Sequence, residues 1–310
     1  MSHNNANSLG AEAEWPSGWQ VRRVAETGST NADLLLAGEG GAPHHSVLMA
    51  DFQSSGKGRL DRTWVAEPGT NLLVSLLFRL DAGAQRPLHQ FTQMVGMAAA
   101  RACTQVAGVT PNMKWPNDLL VNNKKISGIL AQGAPQFVVV GIGVNVGWAP
   151  EGATSLVHEA PSCAAKPTDV LRAMLPHIAS FESLTPQQLH QLYQDELSTI
   201  GQRVRVEQHG GAVLEGIAVA VHTDGRLLVR EDNGAERAGG YNPVRGDKVI
   251  AYARHFLDGA APLKQGSHSD STHYAIVGGA LQVTLQDGSN TGLANPERLR
   301  GYNGAPAAPA

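Results

Sequence analysis

Residues 114–130 read Lys114-Trp115-Pro116-Asn117-Asp118-Leu119-Leu120-Val121-Asn122-Asn123-Lys124-Lys125-Ile126-Ser127-Gly128-Ile129-Leu130. Trp-Pro-Asn-Asp is a turn by composition: proline fixes φ, and Asn and Asp side chains bond their own backbone. A short apolar segment follows at 119–121, then a second turn at Asn122-Asn123, then a strand starting near Lys125. Two readings are open for these residues. In one, Asn117 and Asp118 are turn formers, Trp115 is core and Lys125 is a surface lysine. In the other, the small-residue stretch Ile126-Ser127-Gly128 runs close to a ligand and Lys125 faces it.

Upstream lies Gly56-Lys57-Gly58-Arg59-Leu60-Asp61-Arg62, followed by Trp64, directly after an apolar strand and the polar turn Gln53-Ser54-Ser55. Glycine lets backbone approach a ligand and supplies N–H donors. Lysine and arginine offset phosphate or carboxylate charge. The spacing is neither that of a Walker loop nor G-x-G-x-x-G. By itself the stretch reads equally as a loop that closes on an anion and as a solvated basic hairpin. Downstream, Gly141-Ile142-Gly143-Val144-Asn145-Val146 ends a Val-rich run. An asparagine there faces solvent or bonds a ligand at the strand edge.

The whole chain bounds these readings. It has 310 residues, 42% of them hydrophobic, and a formal charge of -3 with the signs mixed. That length permits a large domain with a small one attached. The charge gives no support to general nucleic-acid or membrane-surface binding. No stretch approaches the roughly 20 apolar residues of a membrane span, and the polar N-terminus has no signal-peptide core. Cys103 and Cys163 are the two cysteines. They form no CxxC pair and read as free thiols in a reducing cytoplasm, with no protein-built metal site.

Periodicity supplies the elements. A helix starts near Thr30, with Ser29 or Thr30 as its cap. Residues 47–51 and 136–146 read as strands, and 71–78 as an alternating strand with Leu72, Val74, Leu76 and Phe78 on one face. Residues 88–103 form a buried helix. Residues 164–200 are helical in two pieces, the second opened by a capping box of Thr185, Pro186 and Gln188. From Gly201 short Val-rich segments alternate with turns such as Asp224-Gly225, which predicts a small all-β domain. Residues 258–310, rich in Gly, Ser, Asn and Ala, carry no visible chemistry and are expected to form a flexible appendix, with one or two strands at 275–285.

Taken together, these segments resemble the biotin protein ligase family. That family carries a G-R-G-R-x-G-R loop, a K-W-P-N-D segment, a K-x-x-G-I-L-x-E strand and a G-I-G-x-N-x strand, in that order, and all four have counterparts here. Thr27-Gly28-Ser29-Thr30-Asn31 looks like its early S-T-N segment. The resemblance covers about residues 18–255. It implies an α+β fold: a mixed sheet with helices mainly on one face, then a small SH3-like β barrel. The expected boundaries are a disordered lead-in at 1–18, a catalytic domain at 19–200, the small β domain at 201–257 and an extension at 258–310.

The resemblance also implies roles. Ser29, Thr30 and Gln53 match the neutral groups that hold the biotin ureido head, with Asn31, Gly56 and Gly128 beside them. Lys57 and Arg59 would lie over biotin and its activated carboxyl, and Arg59 and Arg62 would meet phosphates. Trp64 would close over biotin or adenine. Asn117 and Asp118 match the pair near the adenylate, and Asn145 an adenine contact. Lys125 matches the lysine that bridges the biotin carboxylate and the α-phosphate. Lys125 and Arg59 are the expected catalytic residues. The implied reaction uses Mg²⁺ with ATP to form biotinyl-5′-AMP and pyrophosphate, then passes biotin to a lysine of a biotin carboxyl carrier domain. No DNA-binding domain is expected, because only about 18 residues precede the match. A monomer and a sheet-edge homodimer both stay open.

Three positions depart from the pattern. Lys57 stands where the family has arginine, Asp61 where it has glycine, and Gln132 where it often has glutamate. Lysine keeps the charge but loses the planar fork. Asp61 brings a negative charge into an anion-binding loop and removes a permissive backbone position. Asp61→Gly is therefore expected to slow release of the adenylate; an unchanged release rate would contradict this. The competing readings are a lipoate- or octanoate-activating ligase, which the polar Ser29, Thr30 and Gln53 set disfavours, and a biotin sensor with little turnover, which the intact Lys125, Asn117 and Asp118 disfavour.

Overall fold

The computed structural model describes residues 15–59, 62–80, 86–134, 136–207 and 213–239, together with four short strands between 263 and 293. In chain order the elements are β1 (Gln20–Thr27), α1 (Thr30–Glu39), β2 (Ser46–Gln53), β3 (Leu72–Arg79), α2 (Leu88–Ala107), β4 (Asn112–Lys114), β5 (Asp118–Val121), β6 (Lys124–Ala134), β7 (Phe137–Val144), α3 (Leu156–Glu159), α4 (Pro167–Glu182) and α5 (Pro186–Glu196). The first seven strands form one sheet in the order β1-β2-β3-β7-β6-β5-β4. β1 and β2 are parallel and the other neighbours antiparallel, so the sheet is mixed.

The strand over residues 71–78 is expected to alternate, yet Leu72 to Phe78 are all buried. The physical reason is that helices cover both faces of its sheet. The main core gathers Val74, Leu76 and Phe78 with α2, α4 and α5. A second cluster packs Leu34 of α1 on Leu48, Leu77, Phe137 and Val139 from the opposite side. Fourteen of the 20 residues of α2 are buried, enough to make it the central helix. The capping box of α5 is present, with Gln188 N donating to Thr185 Oγ1 at 3.2 Å and Thr185 N to Gln188 Oε1 at 2.9 Å.

One face of β7 explains where the sheet opens. Phe137 and Val139 lie under α1. Gly141 and Gly143 continue the same face without side chains, just beyond the helix. α1 itself approaches closely: a Cβ on Gly38 would stand 2.5 Å from the Phe137 ring.

Four more strands, β8 (Arg203–Glu207), β9 (Val213–Val221), β10 (Leu227–Arg230) and β11 (Glu236–Gly239), form an antiparallel sheet in the order β11-β10-β9-β8. It is not detached: Val206, Leu214, Leu227 and Val229 join the main core. Trp115 ties it down, its Nε1 donating to Gly225 O at 3.1 Å and its backbone N to Thr199 Oγ1 at 2.9 Å. The strands β12 (Leu263–Lys264), β13 (His273–Val277), β14 (Ala280–Thr284) and β15 (Asn290–Leu293) make a third antiparallel sheet, and β13 and β14 fall where residues 275–285 suggest strands. Of the expected lead-in at 1–18, residues 1–14 lie outside the described residues; Trp15 packs against the main core, 5.0 Å under the Arg172 guanidinium.

The α1–β2 turn is held by a charged clasp. His45 stacks on Trp19 at 3.9 Å, and its Nε2 lies 2.8 Å from Glu182 Oε2, while His44 Nε2 is 3.4 Å from Oε1. Burial alone would raise the Glu182 carboxyl. The hydrogen bonds and charge of His44 and His45 outweigh it and hold the group down at about 2. A depressed carboxylate stabilises the fold above its unfolded pKa, and that stability is lost as pH falls toward the folded value. Between about pH 4.5 and 2 the chain should lose on the order of 2–3 kcal/mol through Glu182. Melting temperatures of the wild type and Glu182→Gln should converge across that window; parallel curves would contradict the clasp.

Candidate active site

One cavity of about 720 Å³ opens on the glycine end of the β7 face. It is lined by Ser29, Thr30, Asn31, Gln53, Lys57, Arg59, Arg62, Trp64, Asn117, Asp118, Lys125, Gly128 and Asn145, so the structure brings together every site residue expected from sequence except Gly56. Gly56 sits at the neck of the basic loop instead. Trp64 N donates to its carbonyl at 3.0 Å, and a Cβ there would stand 2.5 Å from Trp64 O. Leu60 and the departure at Asp61 lie outside the described residues.

At one end the groups are neutral. Ser29 is the N-cap residue of α1 but its side chain makes no capping bond, so the expected capping role falls away. Thr30 donates to Gln53 Oε1 from its backbone N at 2.8 Å and its hydroxyl stands 3.0 Å away. Asn31 turns inward, its Nδ2 donating to Leu130 O and Gln132 Oε1, each at 3.0 Å. Gln132 thus accepts at the position where the family often has glutamate. A Cβ on Gly141 would stand 2.1 Å from Asn31 Oδ1, so the asparagine fits only over bare backbone.

The floor is glycine, and the Trp64 indole lies directly on it. A Cβ on Gly143 would meet the Trp64 indole at 2.3 Å, and one on Gly128 at 2.9 Å. Lys57 is exposed and pairs across the loop with Thr63.

The other end is cationic. Arg59 Nη1 donates to Asn117 Oδ1 at 3.1 Å, and Asn117 Nδ2 to Ile129 O at 2.6 Å, which fixes the amide with its oxygen toward the arginine. Lys125 Nζ lies 2.6 Å from Asp118 Oδ1 and 5.7 Å from the Trp64 ring centroid. Asn145 is buried and held at both ends, its Nδ2 donating to Thr154 O at 3.0 Å and its Oδ1 accepting from Asn71 Nδ2 at 3.4 Å. Among the described lining residues Asp118 is the single carboxylate, against Lys57, Arg59, Arg62, Lys114 and Lys125; Arg203 and Arg205 also line the cavity but pair with Asp232 and Glu215, which lie outside its lining. The site is therefore built for an anion.

Lys114, Arg203 and Arg205 line the cavity but were given no site role from the sequence. Lys114 lies inside the quoted motif and could have been found there. Arg203 and Arg205 reach the cavity because β8 packs beside the Trp115 turn, and no local signal marks them.

The model of the Biotin/lipoate A/B protein ligase family matches residues 26–147, and that of the Biotin protein ligase C terminal domain matches residues 199–242. The chain is 38% identical over 225 residues to a biotin--[acetyl-CoA-carboxylase] ligase of Mycobacterium tuberculosis, a match covering 69% of this chain and 84% of that relative. It belongs to the biotin protein ligase family. The fold agrees with a biotin protein ligase from Aquifex aeolicus in complex with biotin and ATP: TM-score 0.59 at 24% identity, over 71% of this chain and 94% of that one. Residues 241–310 match something else, the Malate synthase G alpha-beta insertion domain. A malate synthase G of Halalkalibacterium halodurans is 42% identical over 85 residues, 27% of this chain and 12% of that relative.

Proposed function

We propose that the protein activates biotin with ATP to biotinyl-5′-AMP and transfers it to a lysine of a biotin carboxyl carrier domain. The observation that carries this reading is the polarity of one cavity: a neutral hydrogen-bonding set at Ser29, Thr30 and Gln53, a glycine floor, and a cationic end at Lys125, Arg59 and Arg62. An uncharged cyclic urea suits the first end, because it offers N–H donors and a carbonyl acceptor to neutral partners. A carboxylate beside a polyphosphate suits the other.

In the first half-reaction a biotin carboxylate oxygen attacks the α-phosphorus of ATP, and the bond to the bridging oxygen breaks to release pyrophosphate. Both reactants are anionic, so the barrier falls chiefly by charge offset and alignment. Lys125 exchanges Asp118 for these anions, and Arg59 is presented by Asn117. The Trp64 indole excludes water from the mixed anhydride. In the second half-reaction the carrier lysine attacks the biotinyl carbonyl, forming an amide and releasing AMP. Mg²⁺ bound to the phosphates would lower their charge. Asp118, the one carboxylate among the described lining residues, fits a metal that arrives with the nucleotide better than one held by protein ligands alone.

The four-stranded sheet β8–β11 and its C-terminal-domain match support an SH3-like unit within 201–257, following a catalytic domain at 19–200. Residues 258–310 lie outside the proposed chemistry. No helix among the described residues is long and apolar enough to cross a membrane. Cys103 is buried and its thiol is pushed up to about 12 by burial, which suits a cysteine kept reduced and unreactive.

The reading is tested by transfer of labelled biotin to an apo carboxyl carrier domain with Mg-ATP, beside a lipoate control. Biotin-specific labelling is expected. Labelling by lipoate, or tight biotin binding without transfer, would replace this reading with one of its two competitors.

A further inference from the structure

Ser75 is the one polar residue of the otherwise apolar run Leu72 to Phe78, and it has no exposed surface. A hydroxyl in such a strand is costly unless it is bonded. It does not line the cavity, but it touches two residues that do: Ser75 Oγ lies 2.8 Å from Thr30 Oγ1 and 2.5 Å from Asn31 Oδ1.

The protons can be placed by counting. Asn31 Nδ2 donates to Leu130 O and Gln132 Oε1, so Asn31 Oδ1 is an acceptor. The single proton of Ser75 goes to it over the shorter contact. The single proton of Thr30 then has two acceptors inside the protein, Ser75 Oγ at 2.8 Å and Gln53 Oε1 at 3.0 Å. With its proton spent on either, Thr30 shows the cavity lone pairs only.

We infer that Ser75 is a positioning residue for ligand recognition: from β3 beneath α1, on the same face of the sheet as Gly141, it locks Asn31 and sets Thr30 as an acceptor for a ring N–H of the ligand. This rests on the proposed biotin reading. Without the Ser75 hydroxyl, Asn31 Oδ1 loses its donor and Thr30 keeps one acceptor instead of two. Each is then held more loosely, Thr30 by Gln53 Oε1 and Asn31 by its two donations to Leu130 O and Gln132 Oε1.

The test is biotin binding by calorimetry and steady-state kinetics on the full chain for Ser75→Ala, Thr30→Val and the double variant, with Ser75→Cys as a close isostere. Ser75→Ala is expected to weaken biotin binding about tenfold, with the KM for ATP and kcat held within about twofold, and Ser75→Cys to recover part of the loss. Because Ser75 acts partly through Thr30, adding Ser75→Ala to Thr30→Val should cost less than the product of the two single effects, the remainder being the share carried by Asn31. Multiplying effects, or equal losses for biotin and ATP, would overturn the inference and leave Ser75 a packing residue. Failure of the wild type to bind biotin would instead overturn the functional reading.

Discussion

Lys125→Ala lowers the rate of biotinyl-adenylate formation by about 10²–10³-fold, the range for removing one group that offsets charge developing in a transition state. The side chain is 40% exposed and its partner Asp118 is 24% exposed, so the ion pair itself is screened and contributes little to folding. The variant should melt within a few degrees of the wild type while adenylation collapses. Transfer from preformed biotinyl-5′-AMP to the carrier should fall much less, because the attack on the α-phosphorus is already complete. Rapid-quench measurement of the two half-reactions separates them. Equal losses in both would show that Lys125 shapes the site rather than serving adenylation.

Gly141→Ala is expected to damage both stability and biotin binding. Its Cβ would stand 2.1 Å from Asn31 Oδ1, and the asparagine cannot retreat without giving up Leu130 O, Gln132 and Ser75. Overpacking and broken buried hydrogen bonds together should cost about 2–4 kcal/mol, and biotin affinity should fall about 100-fold. Shrinking the obstacle tests the cause. The double variant Asn31→Ala/Gly141→Ala should be no less stable than Gly141→Ala alone, while its biotin affinity stays low. Chemical denaturation of the four proteins gives the coupling; simply additive costs would place the clash elsewhere.

The site was legible in sequence to the degree that its chemistry is local. The loop from Gly56 to Arg62, the Trp115–Asp118 turn, Lys125 and Asn145 each sit in a short stretch whose residue types already suit an anionic ligand, and they reach one cavity because β6 and β7 are neighbours and only β3 separates β7 from β2. Ser75 and Asn71 sit in the run 71–78, but a lone hydroxyl and a lone amide there acquire meaning only when β3 is paired with β7 and α1 is laid across it. Arg203 and Arg205 depend on the docking of a second sheet. Strand β1 escaped periodicity because it is an edge strand exposed along much of its length. The burial of Leu72 to Phe78 on both faces was there to read in Leu73 and Leu77, which leave Ser75 as the one polar residue on the face that alternation assigns to water and that α1 covers.

The most direct test mixes the protein with biotin and α-labelled ATP, without any carrier, and follows the label through a single turnover. A burst of biotinyl-5′-AMP approaching one equivalent per active site, matched by pyrophosphate, is the result predicted by a cavity with a neutral head site and a cationic α-phosphate site. ADP and inorganic phosphate, or an adenylate formed equally well on lipoate, would contradict it.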